Sequence, residues 1–464
     1  MNRSVSPAYA MQDRSYSGLM TVVIWVLIVF MVVPEGFDYR VTLQDGSMPT
    51  SGSPVSRLIW LSLLGASFSI VVGRMAQARQ LVRAGNPYLW YFVGLALASV
   101  LWSIDPSVTI RRMIRVFTIT FAALAFSMVA WHGTRFQSVV RTVLTALLLG
   151  SIVFVIANPQ LALEQVQQAE LIGAWHGLAV QKNGFGSLSG FATLLWIHAF
   201  MSRSVNRPMS AIFVIISAFC LVKSRSSTCF MATIFSTLLM LMLIQTPQGL
   251  KRYMPYIIGT FVAIILLYSV AVLRLVPGLE FILKPITMMT GKDLTFTGRT
   301  SIWEVMNDHI ALNPFLGTGY GAYWVGRMIT SPSYEMIRRL SFYPTEAHNG
   351  YLDVVNDLGS IGGVILMGYV IVYLRQAISL FLLNRAQGTL FLVLLFQQLV
   401  GNLSESHWLN VRSVEFVIMT IATLSLSRSL LEAQQQQLRQ RAGLDQHSLM
   451  KATHIHPTFG RGRR

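Results

Sequence analysis

Runs of about twenty residues without charge recur along this chain, and nothing constrains its fold more. "YLWYFVGLALASVLWS" begins at Tyr88 and "MPYIIGTFVAIILLYSVAVL" at Met254. A bilayer core of about 30 Å is crossed by roughly 20 apolar residues in a helix, because the backbone groups there must satisfy one another. Twelve runs of this kind lie near 18–35, 58–73, 88–103, 116–131, 139–157, 184–201, 208–222, 227–245, 254–275, 350–373, 387–403 and 411–427. The expected fold is all-α and polytopic, with about twelve transmembrane helices. Composition agrees: 53% of the 464 residues are hydrophobic, 12% are charged, and the mean hydropathy is +0.55. An ordinary soluble domain is excluded.

The expected organisation is a cytoplasmic N-terminus over 1–17, a membrane domain over 18–427 and a basic cytoplasmic tail over 428–464. An extracytoplasmic loop over 276–349 lies within the membrane domain. The first run is read as a retained helix, since "VVPEGFDY" after it lacks the small-residue pattern of signal cleavage. Lys and Arg set the orientation. With the N-terminus inside, Arg74, Arg79, Arg83, Arg135, Arg141, Arg203, Arg207, Lys251, Arg252, Arg375 and Arg385 all fall in cytoplasmic segments, as do both basic ends. Only Asp13, Glu432 and Asp445 oppose them, so this side carries the whole formal charge of +17 and both termini face the cytoplasm. The charge is spread over short loops and a Gln-rich tail, which argues for membrane topology and against nucleic acid as a partner. Cys220 and Cys229 support neither a disulfide framework nor a zinc site.

Polar chemistry collects on the opposite side. Thr300 or Ser301 can cap a helix whose Ile302, Val305, Met306 and Ile310 recur at helical spacing, and Asn313–Pro314 ends it. This helix is expected along the membrane surface. Gly317, Gly319 and Gly321 follow, without the lysine of a phosphate loop. Lys182 and Asn183, Lys223 and Arg225, Arg111, Arg112 and Arg115, and Glu405 with His407 all sit at outer helix ends. An arginine there ordinarily reaches lipid headgroups, and Arg111, Arg112 and Arg115 are read that way. Arg225 and Arg299 differ. The first stands in a neutral Ser/Thr setting, and the second begins a helix, where a cation opposes the dipole; an anionic ligand supplies the missing partner.

"YPTEAHNGYLDVVNDLGSIGG" brings Glu346, His348 and Asn349 to the head of an apolar helix. Asp353, Asn356, Asp357 and Ser360 follow at i, i+3, i+4 and i+7, a face that must meet protein or water. That face serves either as hydrogen-bonding glue or in catalysis. Gly359, Gly362 and Gly363 would admit a neighbouring helix. Glu346 and His348, at the water boundary, are the acid/base candidates.

Together these pieces resemble the O-antigen ligase and Wzy-type polymerase family, most of all the ExoQ-like exopolysaccharide polymerases. The resemblance rests on "LWSIDPSVTIRR" (101–112), "KSRSS" (223–227), "TGRTSIWEVMNDHIALNPFLGTGYGAYW" (297–324), "EAHNGYLDVVNDLGSIG" (346–362) and "NLSESHWL" (402–409). It implies a GT-C-like membrane glycosyltransferase at the periplasmic face of the bacterial inner membrane. The implied donor is a polyprenyl-diphosphate-linked oligosaccharide and the acceptor a sugar hydroxyl. Arg225, Arg299 and Lys182 would bind the donor diphosphate; His348 or Glu346 would take the acceptor proton. Asn349, Asp353, Asp357, Lys223 and Glu405 would support them. Guanidinium groups suit a diphosphate leaving group, and the external loops hold no Asp-x-Asp motif, so no metal or cofactor is expected. Chain-length regulators and export proteins are the further partners implied. Two alternatives remain open: a ligase that transfers finished glycan to lipid A core or protein, and a flippase for lipid-linked sugars. Transporters often have two related halves and midplane charges; here the halves look dissimilar and the charges gather at one surface.

Overall fold

A computed structural model describes residues 7–37, 39, 53–165, 172–272 and 299–453. Each of the twelve apolar runs falls on a helix. In chain order the α-helices of seven residues or more among the described residues are α1 (Pro7–Val32), α2 (Pro54–Gly73), α3 (Met75–Ala84), α4 (Pro87–Ala98), α5 (Pro106–Met128), α6 (Arg135–Ala157), α7 (Lys182–Ser202), α8 (Arg207–Lys223), α9 (Ser227–Gln245), α10 (Met254–Val272), α11 (Arg299–Leu312), α12 (Tyr334–Leu340), α13 (Gly350–Leu383), α14 (Arg385–Gly401) and α15 (Val414–Thr453). Among the described residues there is no named strand, only a bridge between Leu163 and Trp175. Several helix starts are written in the sequence. Ser53, Asn86 and Asp105 each precede a proline and accept the N–H of Ser56, Tyr88 and Val108, placing a capping oxygen before a residue that lacks a donor anyway.

Among the described residues, seven helices are long and apolar enough to cross a membrane. The number is eight if Met75–Ala84 and Pro87–Leu101, bent by 104° at the break between them, form one span. The remaining apolar runs lie on helices that are short, such as α8 and α14, or that begin with several arginines, such as α5. In the membrane window of α7 78% of residues are buried, and in that of α15 83%, against 28% for α2. α7 and α15 are therefore central, and α2 turns Val55, Leu58 and Leu61 outward while it buries Trp60, Ile70 and Val71. A run with Gly, Ser and Thr among its apolar residues, as in α7, is suited to close packing between helices.

The structure bears on two expectations, the surface helix of the long loop and the polar face of α13. α11 buries Ile302, Trp303, Val305 and Met306 in the protein core and donates the Trp303 indole N–H to Ala347 O at 2.9 Å. Its apolar face thus packs against protein. Residues 276–298 of the proposed loop, 1–6 of the N-terminus and 454–464 of the tail lie outside the described residues, while α15 carries the tail to Thr453 as helix.

The polar face of α13 departs from expectation because the helix is not continuous: Gly359 has φ 65° and ψ −167°, a conformation essentially confined to glycine. The face expected to run from Asp353 to Ser360 is interrupted here. A Cβ on Gly359 would lie 2.2 Å from the Phe315 backbone, so this glycine admits a loop and not a neighbouring helix. Segment 314–321 fills the break. Ser360 N donates to Pro314 O, Thr318 N to Asn356 O and Gly319 N to Asp357 O. Its other edge is held by the α4–α5 junction, through Trp102 Nε1 on Leu316 O, Ile104 N on Thr318 O and Thr109 Oγ1 on Tyr320 O.

Candidate active site

Glu405 is the centre of the site. Only 3% exposed, it lies in the turn between α14 and α15 and draws partners from three other parts of the chain. Arg299, the first residue of α11, places Nη2 3.0 Å from Glu405 Oε1 and donates from Nη1 to Ser404 O. Asn183, in the first turn of α7, donates Nδ2 to Glu405 Oε1 at 2.8 Å. His348 Nδ1 lies 3.6 Å from Glu405 Oε2 and 3.2 Å from Glu346 Oε1.

Local backbone explains how these groups meet. His348 has φ 50°, the left-handed region that few non-glycine residues adopt. Asn349 then caps α13 by accepting the N–H of Tyr351 and Leu352, and donates its own N–H to Ser406 Oγ and Nδ2 to Leu403 O. Gly350 N donates to Asn402 O and Glu405 O; a Cβ there would stand 1.9 Å from Asn402 Oδ1. The "EAHNG" turn and the "NLSES" turn are thus pinned together backbone to backbone, which fixes the carboxylates of Glu346 and Glu405 around one imidazole.

Electrostatics follow from this enclosure. Burial lowers the pKa of His348, but Glu346 and Glu405 outweigh it and hold the imidazole protonated well above its ordinary range. Burial raises Glu405, yet His348, Arg299 and His407 together pull it below the ordinary carboxylate value. Glu346, His348 and Glu405 present ligand atoms within 4.8 Å of one another, and an imidazole with two carboxylates is a donor set that divalent ions accept. Here Arg299 and the imidazolium already balance both carboxylates, so a cation would first have to displace a proton.

The other predicted residues lie elsewhere. Asp353 accepts the Trp324 indole N–H at Oδ1 and Ala347 N at Oδ2, and Asp357 Oδ2 accepts Gly321 N at 2.7 Å. Both carboxylates hold the glycine-rich segment to α13, the glue reading of that face. Lys223 Nζ stands 5.9 and 5.5 Å from the ring centroids of Trp175 and Phe219. Arg225, with φ 49°, is exposed at the head of α9 and donates Nη1 to Ile172 O. Lys182 begins α7 beside Asn183, and its backbone N–H goes to Glu164 Oε1. α9 packs on this end of α7 through Cys229 Sγ and Asn183 O. Sequence reasoning placed Asn183 at an outer helix end but gave it no role. Arg412, missed altogether, and Arg112, assigned to headgroups, both donate to Trp324 O at 3.2 Å.

The five motif segments therefore come together at one end of the helical bundle, four in direct contact and "KSRSS" through α7. Residues 211–367 match the family model Wzy_C, O-antigen ligase. The Wzy_C segment includes Lys223, Arg225, Arg299, Glu346, His348, Asn349, Asp353 and Asp357; Lys182 and Glu405 lie outside it. Over 332 residues the chain is 23% identical to the exopolysaccharide production protein ExoQ of Rhizobium meliloti (strain 1021), an alignment that covers 66% of this chain and 67% of that protein. Both similarities agree with the resemblance read from the motifs, and both support an enzyme of the polysaccharide polymerase and ligase group.

Proposed function

We propose that this protein is a polysaccharide polymerase of the inner membrane, transferring a polyprenyl-diphosphate-linked glycan onto a sugar hydroxyl of a second lipid-linked unit at the periplasmic face. The convergence of Arg299, Asn183 and His348 on Glu405, beside Glu346, carries this reading. The acceptor oxygen bonds to the anomeric carbon while the bond from that carbon to the diphosphate breaks, its electron pair leaving with the diphosphate oxygen. Arg299, with Arg225 and Lys182 from adjoining helix ends, would neutralise the charge that develops there. Glu346 and Glu405 on either side of His348 favour its protonated form, so in this reading proton acceptance falls to Glu346, and the imidazolium would orient it and add a positive charge. Twelve crossings in a GT-C-like arrangement, with both ends cytoplasmic, complete the reading.

The test is purified protein in liposomes given synthetic polyprenyl-diphosphate repeat units alone, with products sized on a gel. A ladder is expected, lost in Arg299→Ala and retained in EDTA. Dependence on added divalent ions would overturn the metal-free mechanism. The ligase reading shares the donor site, and transfer only after lipid A core or protein is supplied would establish it instead. Purified protein that moves the lipid across the bilayer without forming a bond would favour a flippase.

A further inference from the structure

Arg112 on α5 and Arg412 before α15 are far apart in sequence, yet each places Nη2 3.2 Å from the same carbonyl oxygen, Trp324 O. The two guanidinium groups share one neutral acceptor, and the carboxylates that act on them, Asp357 on both and Glu346 and Asp353 on Arg412, do so without forming an ion pair. Arg115 lies one turn beyond Arg112, its guanidinium 5.3 Å from the Trp60 ring centroid. Among the described residues none of the three forms an ion pair, whereas Arg299 and Arg339 each do. All three are half-buried, a costly setting for like charges that a polyvalent anion bonded to all three would relieve further.

Trp324 also connects this group to the reaction centre. Its indole N–H donates to Asp353 Oδ1 at 2.8 Å, and Asp353 Oδ2 accepts the N–H of Ala347 at 3.3 Å. Ala347 stands between Glu346 and His348. Two sets of arginines therefore reach the same stretch through different partners, Arg299 through Glu405 and Arg112 with Arg412 through Trp324 and Asp353.

We propose that Arg112, Arg115 and Arg412 form a second diphosphate site, which holds the diphosphate of the lipid-linked acceptor. This rests on the polymerase reading, because a polymerase handles two polyprenyl diphosphates at once. Arg299 keeps the leaving group, and the second site brings the acceptor hydroxyl to Glu346.

The full chain, in nanodiscs of phosphatidylcholine, is titrated with sugar-free polyprenyl diphosphate. Two equivalents are expected per chain. Arg299→Gln removes one, and Arg115→Gln weakens the other by about tenfold to a hundredfold, the effect of one charge-assisted hydrogen bond. Arg115→Gln leaves both bonds to Trp324 O in place, so its result does not depend on the loop surviving; Arg112→Gln and Arg412→Gln are expected to act in the same direction. A single equivalent, removed by Arg299→Gln and untouched by Arg115→Gln, would overturn the second site, as would its displacement by phosphatidylglycerol at equal concentration. In turnover, with a donor whose accepting hydroxyl is blocked and a separate acceptor, Arg115→Gln raises the acceptor KM and leaves the donor KM. A raised donor KM instead overturns the acceptor assignment. If the wild-type protein forms no glycosidic bond, the polymerase reading fails on that result alone, and the titration still decides whether the second site exists.

Discussion

Glu405 shows how much one side chain can organise. Its two oxygens take an arginine, an amide and an imidazolium from three distant segments, and a buried charge with several partners is expensive to remove because each partner is stranded. Glu405→Gln is expected to cost about 3 kcal/mol of stability and to abolish chain extension, measurable as a lowered melting temperature and a lost ladder. His348 gives the pH dependence. Its folded pKa is raised, so its contribution to stability is full below the ordinary imidazole value of about 6.5 and is lost as pH rises through the raised value. Glu405 is shifted downward, so its contribution holds above the ordinary carboxylate range and fades as pH falls through the lowered value. The melting-temperature difference between wild type and His348→Gln should therefore narrow on the alkaline side. Rate follows the same logic: with Glu346 as base, activity persists through neutral pH and falls as His348 loses its proton. An alkaline rise across that interval would make His348 the base. The sequence disclosed Glu346, His348 and Arg299 through their unusual settings, a polar triplet heading an apolar helix and a cation at a helix N-terminus. It could not disclose the centrality of Glu405, since a lone acid in a short turn looks the same whether it meets water or three partners.

At the scale of an element, α13 carries the main lesson. Periodicity gave Asp353, Asn356, Asp357 and Ser360 a common face, and within an unbroken helix that reading is sound. The break at Gly359 depends on segment 314–321, some forty residues upstream, and local pattern contains no record of it. Likewise the spacing of Ile302, Val305 and Met306 announced that one face of α11 is covered, but not whether lipid or protein covers it. Two substitutions separate a required glycine from a tolerated one. Gly359→Ala needs a left-handed backbone, at about 1–3 kcal/mol, and meets the Phe315 backbone at 2.2 Å. It should expel the glycine-rich segment, detach Trp324 from Asp353 and eliminate activity. Gly363→Ala, four residues on, finds its nearest atom at 3.4 Å on the Val355 side chain, so protein yield, melting and ladder length should stay close to wild type. Equal loss in both would mean that the break is not what positions the site.

For the whole molecule, the question is how twelve apolar runs relate to seven helices that meet length and composition requirements for a span. The contacts bear on it. Segments that the twelve-crossing reading puts on the outer side meet one another: the α6–α7 connection touches the end of α8 through Trp175 N and Lys223 O, and the start of α7 touches the α14–α15 turn. Segments on the inner side do the same, with Trp131 Nε1 on Glu432 Oε2, Gln376 Nε2 on Ala84 O and Arg385 Nη1 on Ile244 O. This sorting is what the twelve-crossing reading requires of the segments that flank α8 and α14. α14 is short where it is buried among other helices, and such a helix need not match the bilayer thickness, whereas α8 turns Ile212, Ile215 and Val222 outward. Single cysteines can decide this, as Cys220 and Cys229 are both buried. A cysteine at Arg338 should react with a membrane-impermeant maleimide on intact cells, and cysteines at Arg203 and Gln436 only after permeabilisation. Labelling at Arg203 from outside would remove one crossing between α6 and α8, and with it the common outer face that the proposed site requires of Arg225, Asn183 and Glu405.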